Sequence, residues 1–501
     1  MNELSQRYSR PRWDYLGETK SGILTIEGLP VTEIAKKYGT PCYIMVERAI
    51  RQRFREFKAA FPYPKLRVQY ASKCNSNLEI MRIANQEGVE LDASSIGEVI
   101  LALLADFSPH EITLTNLYKT PQDILFAVKV GVLAITADSL EDLELIAQVG
   151  KSINKKIRIF IRLTPTIDLG QYTTRKVQYG IPYAQYKKAC DFAARSPYLN
   201  PIGLHFHGPY VYNPKVYFIA AKKLVDVAEY MIREHNQKIS YIDLGGSFPV
   251  AYGDTEVFHP RDMGKKFSDY FVKLIYKANL PLPYLVFEPG KFFVANTGVG
   301  LTRVISKKLR RTTTLVVDGS TYAFLPDPII YEDAVYDILP ASKMQQRRSQ
   351  HYKIAGCTCD CIDTICKSVH LPQTKPGDLL AIMDCGAYSN TIASNFNSLK
   401  RAPMVMVNEE GVARLIRRRD RFSDMFAPEL DVLKVADPHE LQRYYNLFRV
   451  NINKMWGEHK EKKSPVRGRF SSQSKRRAKK SPPAQPLATP DLSNPITTAT
   501  T

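Results

Sequence analysis

Apolar residues recur along this 501-residue chain in two alternating rhythms. Short β-branched and aliphatic runs stand at 67–71, 89–93, 112–116, 132–136, 157–163, 202–207, 241–244 and 285–288. Between them, the stretches 77–86, 97–104, 121–130, 140–149, 183–194, 216–233 and 262–278 space their apolar side chains three and four apart. That is the period of a helix with one buried face. The first run continues an alternation of apolar and polar residues, Leu66-Arg67-Val68-Gln69-Tyr70, which is the period of a strand. Strand and helix alternating eight times over about 220 residues is the size of a closed (β/α)8 barrel. After residue 296 the rhythm changes. Runs at 301–306, 312–318, 352–355, 379–384, 404–407 and 412–416 follow one another without crossover helices. They predict an antiparallel β domain, with the early run 23–26 joining it and a closing helix over 437–453.

The predicted fold class is therefore α/β: a TIM-type barrel followed by an antiparallel β domain. The expected organisation is an N-terminal segment over 1–34, the barrel over 35–296, the β domain over 297–457 and a basic tail over 458–501. That tail holds ten Lys/Arg against three Asp/Glu, so +7 of the net charge of +20 lies there and +13 in the rest. It includes Lys475-Arg476-Arg477-Ala478-Lys479-Lys480 and has almost no apolar residues to bury, which predicts disorder. A solvated extension is favoured over a nucleic-acid or membrane contact. No apolar run reaches bilayer-spanning length, and the first residues lack the apolar core of a secretory signal. Eight cysteines in no paired framework point to reduced thiols and a cytoplasmic protein.

Candidate chemistry collects where such a barrel works, at the carboxyl ends of its strands. Lys73 follows the first run in Tyr70-Ala71-Ser72-Lys73-Cys74-Asn75-Ser76-Asn77. An amine there is placed to form an imine, since desolvation favours its neutral, nucleophilic form. Asp92, Asn116, Arg162, His205 and His207 stand at later strand ends. Gly245-Gly246-Ser247 follows the seventh run, a small-residue turn suited to a phosphate. Glu288-Pro289-Gly290-Lys291 closes the eighth, and a buried carboxylate there needs a cationic partner such as a protonated pyridine nitrogen. Cys357, Cys359, Cys361 and Cys366 raise the question of a metal, because strand alternation would put the first three on one face. Their spacing is unlike a zinc knuckle, and no metal is expected.

Taken in order, these segments resemble the pyridoxal-phosphate decarboxylases with an alanine-racemase-like barrel, the group of diaminopimelate and ornithine decarboxylases. The resemblance spans roughly residues 35–425. It also rests on Leu91-Asp92, Gly203-Leu204-His205-Phe206-His207, Asp243-Leu244-Gly245-Gly246, Gly356-Cys357-Thr358-Cys359-Asp360 and Gly386-Ala387-Tyr388. It implies pyridoxal phosphate joined to Lys73, Glu288 opposite the pyridine nitrogen, and His207 stacked on the ring. Asp92 belongs with the cofactor set, and Gly245, Gly246, Ser247, Gly290, Lys291 and Tyr388 with its phosphate. Cys359 becomes the proton donor and Asp360 a substrate-binding acid, with Tyr388 also reaching the substrate. Apart from the resemblance, Glu332 after Tyr331 reads either as a substrate-binding acid that complements a distal ammonium or as a solvated surface acid. Cys359-Asp360 and Tyr388 are expected at a homodimer interface, completing shared active sites.

Several positions depart from the family pattern. Gly208-Pro209-Tyr210 replaces Ile-Gly-Ser after His207, and Lys291 replaces an arginine. Phe324-Leu325-Pro326-Asp327-Pro328-Ile329-Ile330-Tyr331 lacks the arginine that grips a distal carboxylate in diaminopimelate enzymes. The expected reaction is loss of the α-carboxylate of an amino acid as carbon dioxide, nearest to diaminopimelate decarboxylation. Ornithine, lysine, arginine or a specialised amino acid are the alternative substrates, and a catalytically silent cofactor-binding paralogue is the alternative role.

Overall fold

The computed structural model describes residues 13–170, 172–253, 255–331 and 334–436, with isolated positions 439, 442, 443 and 446 beyond. The expected closing helix, apart from those isolated positions, and the basic tail lie outside the described residues, as does Glu332. Residues up to Pro428 form one unit and Glu429 begins a second, described only through the end of the helix Ala427–Ala436.

Eight parallel strands close into a barrel in chain order: Leu66–Ala71, Glu90–Ala93, Ile112–Leu114, Ala134–Ala137, Ile157–Thr164, Leu199–His205, Tyr241–Asp243 and Tyr284–Phe287. The last pairs with the first through Phe287 and Val68, which shuts the ring and leaves no open edge. The crossover helices begin where local chemistry favours it. Asn77, Ser95, Thr120 and Ser139 each accept a hydrogen bond from a backbone N–H of the following turn, at 3.0, 3.2, 3.1 and 3.0 Å. Thr120 and Asp123 form a reciprocal capping box with Pro121 at the first helical position. Each such cap fixes the point at which a strand-end loop becomes a helix, so it also fixes the reach of that loop.

The second sheet is mixed rather than wholly antiparallel. Its order is Thr364–Leu371, Gln350–Ala355, Thr314–Val317, Gly298–Lys308, Cys42–Val46, Met404–Val407 and Ala413–Arg417. Thr314–Val317 runs parallel to Gln350–Ala355, and Cys42–Val46 parallel to Met404–Val407. The latter strand departs from the expected division at residue 35, because it precedes the barrel in the chain yet sits in this sheet. All five of its residues are buried. With the side chains alternating, Tyr43 and Met45 enter the main core, while Cys42, Ile44 and Val46 join a second cluster with Trp13, Tyr15, Leu24 and Ile26. Burial on both faces explains the unbroken apolar string Cys42-Tyr43-Ile44-Met45-Val46. Among the described residues no helix is long and apolar enough to cross a membrane.

Candidate active site

Lys73 stands on a single turn of 3₁₀ helix, Ser72–Cys74, at the end of the first barrel strand. Ser72 Oγ donates to Glu98 Oε2 at 2.9 Å, and the Ser94 N–H donates to the same oxygen at 2.7 Å. One carboxylate thus ties the Lys73 turn to the end of the next strand. The Lys73 ammonium makes no hydrogen bond or ion pair among the described residues, and it lines a cavity of about 490 Å³.

Glu288 follows the last barrel strand and lines the same cavity, with 2% of its surface exposed. Its Oε2 lies 3.4 Å from His205 Nε2 and 3.8 Å from His207 Nδ1, while Oε1 is buried without a partner. Burial favours the neutral acid, but His205, the nearer imidazole, outweighs it and holds the Glu288 carboxyl well below the usual carboxylate range. Neighbouring acids yield to that charge. Burial and then Glu288 push Asp92 up to about 8 and Asp243 well above its ordinary value. Negative charge is concentrated on one carboxylate of three. Burial, with the Lys73 and Arg162 charges adding to it against the pull of Glu288, pushes His207 down to about 3. His207 Nδ1 accepts the Gly246 N–H at 3.2 Å, so the neutral ring carries its proton on Nε2.

The strand-end turns come extremely close. A Cβ on Gly246 would meet the Glu288 carbonyl oxygen at 2.2 Å, and one on Gly290 the Ala71 carbonyl oxygen at 2.9 Å. Gly245 and Ser247 have φ of +66° and +65°, so the Gly-Gly-Ser turn reverses sharply beside the cavity. Of the expected phosphate cradle, two amides are directed elsewhere: Gly245 N–H donates to Asp243 Oδ1 at 2.8 Å and Gly246 N–H to His207. Ser247 and Gly290 line the cavity itself. So do Lys291, whose ammonium lies 4.6 Å from the centre of the Tyr252 ring, and Tyr388, whose phenol is raised by burial.

Cys359 and Asp360 stand apart from this cavity and do not line it. They occupy a hairpin loop between Gln350–Ala355 and Thr364–Leu371, not a strand, so the alternation expected for Cys357, Cys359 and Cys361 does not arise. Cys359 is exposed; Asn397 Nδ2 donates to its Sγ at 3.4 Å. Asp360 accepts from the Tyr322 hydroxyl, which holds its carboxyl below the usual range. The group with metal-like spacing among the described residues is His205, His207 and Glu288, whose ligand atoms lie within 4.8 Å of one another. Gly246 already occupies the His207 Nδ1 lone pair, which removes one donor from that set.

Two features have no counterpart in the sequence reading. Asp327 lies inside the cavity, and Tyr210 and Tyr331 meet there, hydroxyl to hydroxyl at 2.8 Å. Both follow from loops whose spatial meeting no local spacing encodes. The residues present fit pyridoxal phosphate. Glu288 Oε1 and both Asp92 oxygens are buried without partners, and Lys73, Ser247, Gly290 and Lys291 line the same cavity as Glu288.

Comparison with known proteins agrees. Residues 47–295 match the family described as pyridoxal-dependent decarboxylase, pyridoxal binding domain. A diaminopimelate decarboxylase of Archaeoglobus fulgidus is 30% identical over 414 residues, covering 81% of this chain and 97% of that protein. One from Actinosynnema pretiosum is 32% identical over 437 residues, covering 83% and 95%. The crystal structure of diaminopimelate decarboxylase from M. jannaschii in complex with L-lysine superposes with a TM-score of 0.76 at 27% identity, covering 83% of this chain and 97% of that one. This chain belongs to the pyridoxal-dependent decarboxylase family.

Proposed function

We propose that the cavity removes the α-carboxylate of an amino acid as carbon dioxide, with pyridoxal phosphate held between Lys73 and Glu288. The observation that carries this reading is an unpaired amine and a buried, ionised carboxylate lining one cavity. When bound, the cofactor supplies an electron sink for the pair left on Cα as carbon dioxide departs. Lys73 provides the amine that anchors the cofactor's aldehyde carbon. Glu288 supplies the fixed negative charge that keeps a pyridine nitrogen protonated, and Asp92, as a neutral acid at pH 7, does not compete for it. His207 Nε2–H presents a neutral ring that can lie against the cofactor without adding charge. Ser247, Gly290, Lys291 and the Tyr388 hydroxyl would hold the phosphate.

Proton return to Cα needs a donor, and Cys359 is the residue in the family's position for it. Since it does not line this chain's cavity, we place it in the site of a second copy, so that two chains complete two sites. Asp360 then faces the substrate from that second copy, while Tyr388 faces it from this chain's own cavity wall. Work in the cytoplasm keeps the Cys359 thiol reduced. Borohydride treatment of the cofactor-loaded chain should fix the cofactor to the peptide containing Lys73, and amino acids offered as a panel should release carbon dioxide. Label on another lysine, or no carbon dioxide from any amino acid, would refute the reading.

A further inference from the structure

Asp327 has the most specific unexplained environment in the molecule. It opens the short helix Asp327–Ile330, lines the cavity and is 8% exposed. Its Oδ2 accepts the Tyr336 hydroxyl at 2.6 Å, and Tyr336 is in turn held edge-on to Tyr252, ring centres 5.5 Å apart. Among the described residues, its Oδ1 accepts no hydrogen bond and no cation lies within ion-pair distance of either oxygen. A carboxylate so buried needs a positive partner, and the chain leaves this one's second oxygen to the cavity.

The rest of the cavity wall supports a cation at that place. Tyr331 follows Asp327 by one helical turn, and its hydroxyl meets that of Tyr210 at 2.8 Å with the rings edge to face. Phenol oxygens accept from an ammonium, and ring faces attract it. Of the two lysines in the wall, Lys73 is the cofactor anchor, and Lys291 lies against the Tyr252 ring, attracted by the Asp327 charge but outside ion-pair contact with it. No arginine lines the cavity among the described residues, so the forked donor that best grips a carboxylate is missing. A carboxylate brought beside Asp327 would place two like charges together in a desolvated space.

We propose that Asp327 selects a substrate whose side chain ends in a primary ammonium and carries no carboxylate at that end. This deepens the decarboxylase reading and rests on it. It sets the chain apart from its relatives in substrate rather than in chemistry.

The test is equilibrium binding to the cofactor-loaded full chain, with cadaverine and ε-aminocaproate as probes. The two have the same five-carbon spacer and one amine for the cofactor; they differ in an ammonium or a carboxylate at the far end, and neither can lose carbon dioxide. Cadaverine should bind at least roughly tenfold tighter. Asp327→Asn keeps an oxygen for Tyr336 but removes the charge, and should shrink that preference to about threefold or less. The proposal is overturned if ε-aminocaproate binds as tightly as cadaverine, if neither binds, or if Asp327→Asn keeps the full preference. Carbon dioxide release from any amino acid would leave the decarboxylase reading standing whichever probe wins. Absence of release from every amino acid would remove that reading even where cadaverine is preferred.

Discussion

Glu288 is held as an anion in a place where burial alone would neutralise it. Its two oxygens are unlike: one faces His205 and His207, and the other has no partner. Such an atom is costly unless something positive is delivered to it, and a protonated ring nitrogen meets that need. Glu288→Gln keeps the shape and removes the charge, so the electron sink weakens while the cavity stays intact. The expected loss in kcat is about a hundredfold, or ~3 kcal/mol of transition-state stabilisation, with cofactor still trapped on Lys73. Unchanged turnover in a folded Gln variant would take Glu288 out of the mechanism.

At the level of elements, the hairpin loop 356–363 is built around one side chain. Asp363, 3% exposed, accepts four hydrogen bonds: Thr321 N–H and Oγ1–H on Oδ1, both at 2.8 Å, and Thr358 N–H and Oγ1–H on Oδ2, at 3.0 and 2.6 Å. Gly356 fits against it where a Cβ would meet Oδ1 at 2.1 Å. Cys359 is thereby carried on a braced loop although it is itself exposed. Replacing Asp363 with Ala leaves four donors without their acceptor and should cost about 2–4 kcal/mol in unfolding free energy. Activity should fall further than cofactor attachment at Lys73. Equal stability by denaturant titration would show that the brace contributes nothing.

The same contrast explains what could be read from sequence. Barrel strands announce themselves as short β-rich runs alternating with stretches of helical period, and Lys73, His207 and Glu288 sit at their ends. The strand Thr364–Leu371 is not among those expected from sequence, because Thr364, Lys367, Ser368 and His370 interrupt its apolar residues. Cys42–Val46 is not among the strands expected from sequence, and its place in the second sheet is decided by partners more than 250 residues away in sequence. The position of Asp327 beside the cofactor cavity depends on a loop entering from the second domain. Nothing in its immediate neighbours encodes that.

For the whole molecule, the decisive arrangement is that the two halves of the proposed chemistry do not meet within one chain. Lys73 and Glu288 line the cavity; Cys359 does not, and its thiol is exposed on a braced hairpin. An exposed thiol beside a half-buried acid, both held in fixed geometry, suits delivery to a neighbouring copy, whose own hairpin would do the same in return by two-fold symmetry. The prediction is complementation. Lys73→Ala subunits keep a sound Cys359 loop, and Cys359→Ala subunits keep a sound Lys73 cavity, so each homodimer is inactive for a different reason. After random exchange at equal amounts, half of the dimers are mixed, and each mixed dimer holds one complete site of two. Activity should therefore recover to about a quarter of the wild-type value per site. Subunit exchange followed by a fluorescence label, with no recovery of carbon dioxide release, would mean that each chain completes its own site. The exposed position of Cys359 would then need a closing motion of the hairpin toward its own cavity.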